Sequence, residues 1–256
     1  MQTLFIGQHL IFLHEVDSTN TYATNLLRNV NVAEGAIIST NNQTQGKGQR
    51  GAVWNSEIGS NITVSCVLKP HFLSINNTFY LSKISALAIY DVLTELLPNS
   101  QFDIKIKWPN DILVNQKKIA GILIENNFNR DVLQHSVIGI GINVNQMEFK
   151  NLQDTASSLK LLTNQAFHNN DILEKLCQHL EKWYLKLRGL KFSEIDEHYL
   201  NQLFGINQLC LFSDIHNNEF NATIIGIDQA GKLILQHSDG KLYYYEVKEV
   251  KLVFKS

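Results

Sequence analysis

An α+β fold is what this sequence predicts: a mixed or antiparallel sheet with helices packed on it, followed by a small all-β barrel. Three observations carry the prediction. The middle of the chain is rich in strand-like runs joined by short turns. Two long runs repeat apolar residues at helical spacing. After Gln202 the texture changes to short strands separated by Asn-Asn, Ala-Gly and Asp-Gly turns. The boundary therefore falls near Gln202, giving a main domain over 1–202 and a barrel over 203–256.

Leu10 to Val16 reads as a strand, and "DSTNTYATNLLRN" then starts a helix with cap-forming residues ahead of Leu26 and Leu27. "GAIIST" (35–40) is a second strand running into a polar loop. "NITVSCVLK" (61–69) alternates Ile62, Val64, Cys66 and Leu68 with Thr63 and Ser65, the period-two pattern of a half-buried strand. Leu81, Ile84, Ala88, Val92 and Leu96 repeat at helical spacing, and Pro98 closes that helix. Strands follow at "FDIKIKW", "KKIAGILIEN" and "HSVIGIGINVN", with a Pro109-Asn110-Asp111 turn and "ILVNQ" linking the first two. Asp171 with Glu174 resembles a capping box, and Ile172, Leu176, Leu180, Trp183 and Leu187 form a core-facing stripe that ends at Gly189. "LCLFS", "EFNATIIGID", "GKLILQH" and "KLYYYEV" are the barrel strands.

Composition narrows the function. The 256 residues are 44% apolar and 18% charged, with a formal net charge of −2, so the chain has no general attraction for nucleic acid or an anionic membrane. The N-terminus lacks a positive segment before its apolar residues, and Gln8, His9, His14 and Glu15 interrupt it before a membrane span accumulates. A cytoplasmic location is the expectation. Cys66, Cys177 and Cys210 are scattered and odd in number, which argues against a disulfide frame and against a zinc site.

Gly46, Gly48 and Gly51 of "GKGQRGAVW" spell G-x-G-x-x-G, a phosphate-loop pattern that needs context to mean anything. A dinucleotide site requires a helix after the last glycine, but "AVWNSE" and a strand follow. The kinase version requires a V-A-I-K lysine and D-F-G, and the Walker version requires Ser or Thr after Gly-Lys; none is present. A plain hairpin loop is the alternative. Against it, Lys47 and Arg50 set cations among glycines whose bare backbone lets N–H groups approach an anion, and Trp54 adds a flat surface beside them. A ligand with a ring at one end and a carboxylate or phosphate at the other would use both.

"KWPNDILVNQKKIAGILIE" (107–125) is more specific. It puts an amide and a carboxylate, Asn110 and Asp111, at a tight turn, and Lys117 and Lys118 at the start of a strand in which Gly121 marks a close approach. Together with "DSTN" (17–20), "QTQGKGQRGAVW" (43–54) and "VIGIGINVN" (137–145), in that order, the chain resembles the biotin protein ligases over roughly residues 10–250. The resemblance implies the α+β catalytic fold shared with class II aminoacyl-tRNA synthetases, followed by an SH3-like barrel. It implies that biotin and MgATP give biotinyl-5′-AMP, from which a lysine of a biotin carboxyl carrier protein, of acetyl-CoA carboxylase or a related carboxylase, takes the biotinyl group. It looks like the ligase-only form, without an N-terminal helix-turn-helix.

The same resemblance distributes the site. Lys118 touches both the biotin carboxyl and the phosphate and is the main catalytic group, with Asp111 beside it as a second catalytic group and Mg²⁺ ligand. Ser18, Thr19, Asn20 and Gln43 meet the ureido head of biotin, although helix capping would also account for Ser18 and Thr19. Gly46, Lys47, Gly48, Gln49, Trp54 and Gly121 complete the biotin pocket. Lys47, Arg50, Asn110, Asp111, Lys118, Gly139, Gly141 and Asn143 attend the nucleotide. One departure stands out: the family loop commonly reads G-R-G-R-x-G-R-x-W, and its arginine places hold Lys47, Gln49 and Ala52 here. Arg50 is one position from the second, which in extended backbone turns a side chain to the opposite face. A lipoate ligase and a non-catalytic biotin-binding module are the rival readings.

Overall fold

The computed structural model describes residues 2–97, 101–150 and 152–254, apart from the Arg50 side chain. Its first sheet has seven strands: β1 (Leu10–Val16), β2 (Ile37–Gln43), β3 (Ile62–Leu68), β4 (Ile104–Lys107), β5 (Asp111–Val114), β6 (Lys117–Asn129) and β7 (Val132–Ile142). They lie in the order β1-β2-β3-β7-β6-β5-β4. Only β1 and β2 pair in parallel; the other neighbours are antiparallel, so the sheet is mixed, as expected. A parallel pair needs a crossover, and α1 (Thr19–Asn29) supplies it.

Helices α2 (Phe79–Leu96), α4 (Asn169–Arg188) and α5 (Phe192–Gln202) pack together against this sheet, and a short α3 (Leu159–Thr163) comes just before α4 in the chain. α2 is sandwiched between the sheet and α4, which is why it is buried on nearly every side, Leu81, Ile84, Ala88 and Val92 included. Pro98, the expected stop of α2, lies outside the described residues. The α4 apolar stripe is buried as expected, but its start is not the Asp171 capping box. His168 is the cap, without a side-chain bond, and Asp171 stands in the first turn, where a carboxylate complements the helix dipole.

Two strand expectations need correction. β3 is buried at every position. Ile62, Val64, Cys66 and Leu68 face the main core, while Val67 on the other face packs with Ala23 of α1 and with Val137. Polar residues on that second face therefore signal a buried polar network, not solvent. "ILVN" is not a plain connection either: β5 pairs with both β4 and β6, and a two-residue turn closes the β5–β6 hairpin with Asn115 and Gln116 both at positive φ.

The second sheet comprises β8 (Leu209–Asp214), β9 (Glu219–Ile227), β10 (Leu233–Gln236), β11 (Leu242–Tyr245) and β12 (Val250–Leu252), antiparallel in the order β11-β10-β9-β8-β12. No ladder joins β11 to β12 among the described residues. Among the described residues, no helix is long and apolar enough to cross a membrane.

Candidate active site

A cavity of about 520 Å³ opens where the inner strands of the first sheet face β8 and β12 of the second. Its lining brings together Ser18, Thr19, Asn20, Gln43, Lys47, Gly48, Gln49, Trp54, Asn110, Asp111, Lys118, Gly121, Gly139 and Gly141 from five separate segments of sequence. Such a volume suits a small organic ligand.

One end is polar and dry. Ser18, Thr19 and Asn20 sit where β1 gives way to α1 and are only 2%, 3% and 3% exposed. Ser18 occupies the helix-cap position, yet its side chain makes no capping bond. The Thr19 backbone N–H donates to Gln43 Oε1 at 3.0 Å, which ties the helix start to the end of β2. Asn20 Nδ2 donates to Glu125 Oε2 at 2.8 Å, while Ser65 Oγ lies 2.6 Å from Asn20 Oδ1 and 2.7 Å from Thr19 Oγ1. Ser65 and Glu125 carry no signal in the sequence, because each looks like an ordinary strand residue.

The glycine loop forms the wall. Trp54 N–H donates to Gly46 O at 3.0 Å and Gly48 N–H to Ala52 O at 2.7 Å, closing a hairpin that lays the Trp54 indole across β6 and β7. A Cβ on Gly141 would collide with that ring, and one on Gly121 would meet the ring at 3.1 Å and Lys118 Cε at 3.2 Å. A Cβ on Gly139 would lie 2.5 Å from Asn20 Oδ1. The space these glycines leave is filled by protein side chains. Gly46 is outside the cavity lining and lets the two arms of the loop approach, since a Cβ there would strike Trp54 O. Lys47 reaches Thr21 Oγ1 at 2.8 Å. Residues 49–51 form a 3₁₀ turn, so the face-alternation argument for Arg50 does not apply; its side chain lies outside the described residues.

Charge gathers at the other end. Lys118 Nζ sits 2.6 Å from Asp111 Oδ1 and 5.6 Å from the centroid of the Trp54 ring. The contact with Asp111 is an ion pair, and among the described residues no hydrogen bond reaches the buried Oδ1. The Lys118 backbone is clamped by Thr155 O and Ser157 N, at 2.8 and 3.0 Å. Asn143 stands behind this clamp, outside the cavity lining. Its Nδ2 donates to Ser157 O at 3.0 Å and Lys118 O at 3.4 Å, so it supports Lys118 from the core. Asn110 Nδ2 donates to Ile122 O at 2.8 Å and thereby fixes the turn ahead of Asp111.

Lys107, unassigned from sequence, also lines the cavity. Burial holds its ammonium below the usual lysine range; Asp111 pulls it up, and the positive charges of Lys118 and Lys251 push it down. Lys107 and Lys118 therefore bring two cations to one end of the cavity, and Lys251 of β12 adds a third. This arrangement favours a polyanion at the charged end and a neutral hydrogen-bonding group at the dry end. Among the described residues no three His, Cys, Asp or Glu side chains are grouped to hold a metal by themselves.

Residues 12–143 match the model of the biotin/lipoate A/B protein ligase family. The chain is 31% identical over 253 residues to the bifunctional ligase/repressor BirA of Bacillus subtilis, covering 97% of this chain and 76% of that protein. It is 28% identical over 233 residues to the biotin–[acetyl-CoA-carboxylase] ligase of Paracoccus denitrificans, covering 90% and 95% of the two. Its fold superposes on the biotin protein ligase of Aquifex aeolicus in complex with biotin and ATP with a TM-score of 0.79, at 25% identity and covering 97% of this chain and 100% of that one. The chain belongs to the biotin/lipoate A/B protein ligase family.

Proposed function

We infer that this protein is a biotin protein ligase. It joins biotin to ATP to give biotinyl-5′-AMP and pyrophosphate, and then transfers the biotinyl group to a lysine amine with release of AMP. Bringing a carboxylate to the α-phosphate pushes two anions together, which requires fixed positive charge aimed at the reacting centre. The observation that carries the reading is the Lys118 ammonium, held between Asp111 and the Trp54 ring in a cavity whose far end offers buried hydroxyl and amide groups. In our assignment Ser18, Thr19, Asn20 and Gln43 take the ureido head, and Trp54 lies along the body of biotin. Lys118 bridges carboxyl and phosphate, and Lys47, Lys107 and the loop N–H groups hold the nucleotide.

Mg²⁺ fits this donor set. Asp111 Oδ1 is buried and among the described residues no hydrogen bond reaches it, and Mg²⁺ commonly takes one or two protein carboxylates with phosphate and water oxygens. Asp111 would hold the ion, which supplies charge neutralisation to the phosphates when bound.

The acceptor we propose is a biotin carboxyl carrier protein of acetyl-CoA carboxylase or a related carboxylase, in keeping with the relative from Paracoccus denitrificans. We further propose that 1–202 is the catalytic domain and 203–256 a small SH3-like barrel. The end of α5 at Gln202 and the antiparallel order of the second sheet support that division. Free Cys66, Cys177 and Cys210 support a reducing compartment, the cytoplasm.

Biotin-dependent exchange of pyrophosphate into ATP tests the assignment. Exchange with biotin but not lipoate is expected, and Lys118→Ala should lower its rate about 10²- to 10³-fold. A Lys118→Ala protein with the wild-type rate would remove Lys118 from the mechanism.

A further inference from the structure

A second cavity, of about 150 Å³, opens beside the first and shares Gln49, Asn110 and Ile122 with its walls. The rest of its lining comes from the start of α2, from β6 and from the β9–β10 turn, and includes Thr78, Ser82, Asn126 and Ala230. Pockets for drug-sized ligands begin at about 300 Å³, so this one is too small for biotin or a nucleotide and suits a single extended side chain.

Its position ties it to the chemistry. Asn110 and Ile122 adjoin Asp111 and Gly121 in sequence, and a Cβ on Gly121 would lie 3.3 Å from Lys118 Nζ. The small cavity therefore abuts the charged end of the large one and not the dry end. Asn110 is fixed, because its Nδ2 donates to Ile122 O at 2.8 Å. Gln49 is not: it lies on the 3₁₀ turn of the glycine loop, and no hydrogen bond among the described residues holds its side chain. Part of the partition is thus one side chain able to swing aside. The outer rim is firm. Gln229 Nε2 donates to Asn77 Oδ1 at 2.7 Å, Trp108 Nε1 donates to Gly231 O at 2.9 Å, and Gly231, at a φ of +97°, packs so closely on Phe79 that a Cβ would collide with the ring.

The two cavities differ in charge. Lys107, Lys118 and Lys251 line the large one, whereas among the described residues no Asp, Glu, Lys or Arg lines the small one. Anions follow the cations, which makes the small cavity a poor route for pyrophosphate or for the carboxylate of biotin. A neutral amine is a better match. Lysine attacks only as the free base, and burial beside positive charge favours that form. The hydroxyls of Thr78 and Ser82 and the amide of Asn126 can hydrogen-bond an amine without adding charge.

We propose that the small cavity is the port through which the acceptor lysine of the carrier domain reaches activated biotin. The proposal rests on the biotin reading of the large cavity given above. The amine nitrogen bonds to the biotinyl carbonyl carbon, the bond from that carbon to the phosphate oxygen breaks, AMP leaves with the electron pair, and the surplus proton on nitrogen passes to solvent.

The test uses the whole chain carrying Ser82→Trp or Ala230→Trp, which narrow the port from two different elements. Three rates are compared: biotin-dependent pyrophosphate exchange, capture of the intermediate by hydroxylamine as biotin hydroxamate, and biotinylation of the unmodified carrier domain of a bacterial acetyl-CoA carboxylase. Exchange and hydroxylamine capture should stay within about twofold of wild type, because activation is untouched and hydroxylamine is small. kcat/KM for the carrier should fall about tenfold or more, since the lysine is kept from its attacking position. Ala230 is exposed in a turn, so its variant reports even where Ser82→Trp compromises folding. Carrier biotinylation at the wild-type kcat/KM in Ala230→Trp would overturn the port. So would equal losses in all three rates in a variant that melts as the wild type does, because these residues would then serve activation. Wild-type exchange that does not depend on biotin would instead overturn the substrate assignment, and biotin-dependent exchange without transfer to the carrier would overturn the acceptor for which the port is proposed.

Discussion

Gly141 shows how tightly single positions are fitted around the reacting centre. Trp54 lies so close over the β7 backbone that a Cβ on Gly141 would collide with the indole, whereas Gly121 leaves 3.1 Å. Gly141→Ala should therefore cost about 1–3 kcal/mol of stability through overpacking. Removing the ring relieves that collision, so urea denaturation should find Gly141→Ala less costly in a Trp54→Ala background than alone. Equal costs in both backgrounds would mean that the indole is not what the glycine accommodates. These contacts also explain which parts of the site the sequence exposes. Lys118, Asp111 and Trp54 belong to runs whose residue types already suggest chemistry, and the cavity gathers them. Ser65 and Glu125 sit in ordinary strand alternation, and only the fold brings them within 3 Å of Asn20. The family resemblance implies a nucleotide contact for Asn143, and only the fold shows that its amide donates to the Lys118 and Ser157 carbonyls.

Between helices, one electrostatic connection joins α2 to α4. Asp91 accepts from Lys182 Nζ and Trp183 Nε1, both at 2.9 Å, and lies 3.4 Å from His179 Nδ1; His179 Nε2 meets Glu95 at 2.8 Å. Burial alone would raise Asp91, but the donors His179, Lys182 and Trp183 outweigh it and hold its carboxyl at about 2. The bond to Asp91 raises His179 against the opposing effect of burial, and Glu95 adds to the rise. A raised histidine contributes fully below its unfolded value of about 6.5 and loses that contribution as pH climbs through its folded value. The depressed Asp91 contributes above about 3.8 and is lost as pH falls toward 2. The stability difference between wild type and His179→Gln should thus be largest near pH 4–6.5, up to ~1 kcal/mol, and shrink in alkaline buffer, as thermal melts across pH would show. A constant difference would remove the ionised histidine from the account. The helices themselves are legible in the sequence, because 3.6-residue periodicity survives burial on two sides. β5 is not: its four residues are flanked by a Pro turn and by a hairpin turn that uses Asn115 and Gln116 at positive φ, where glycine is the usual signal.

Taken whole, the molecule makes its cavity by setting one sheet against another. Trp108 Nε1 donates to Gly231 O at 2.9 Å and Phe204 N–H to Ile106 O at 2.8 Å, so β4 and the turn after it are tied directly to the C-terminal segment. The same turn carries Asn110 and Asp111 into the cavity, which couples the position of the second sheet to the charged end of the site. Lys107 lies at that junction, with its ammonium 5.3 Å from the centroid of the Phe254 ring and under the positive influence of Lys118 and Lys251. Three cations opposed by the Asp111 carboxylate are unfavourable in the empty cavity. A triphosphate would relieve the repulsion more than the single carboxylate of biotin does, so most of the cost of gathering them is recovered on binding nucleotide. Lys107→Met keeps the length and apolar stem of the side chain while deleting its charge. It should raise ATP KM about tenfold, as expected for loss of a charge-assisted hydrogen bond, and leave biotin KM within about twofold. Lys251→Met, more exposed, should act in the same direction but more weakly. Exchange kinetics in which Lys107→Met moved biotin KM instead would show that the three lysines serve the other substrate, and that the second sheet completes the biotin end of the cavity.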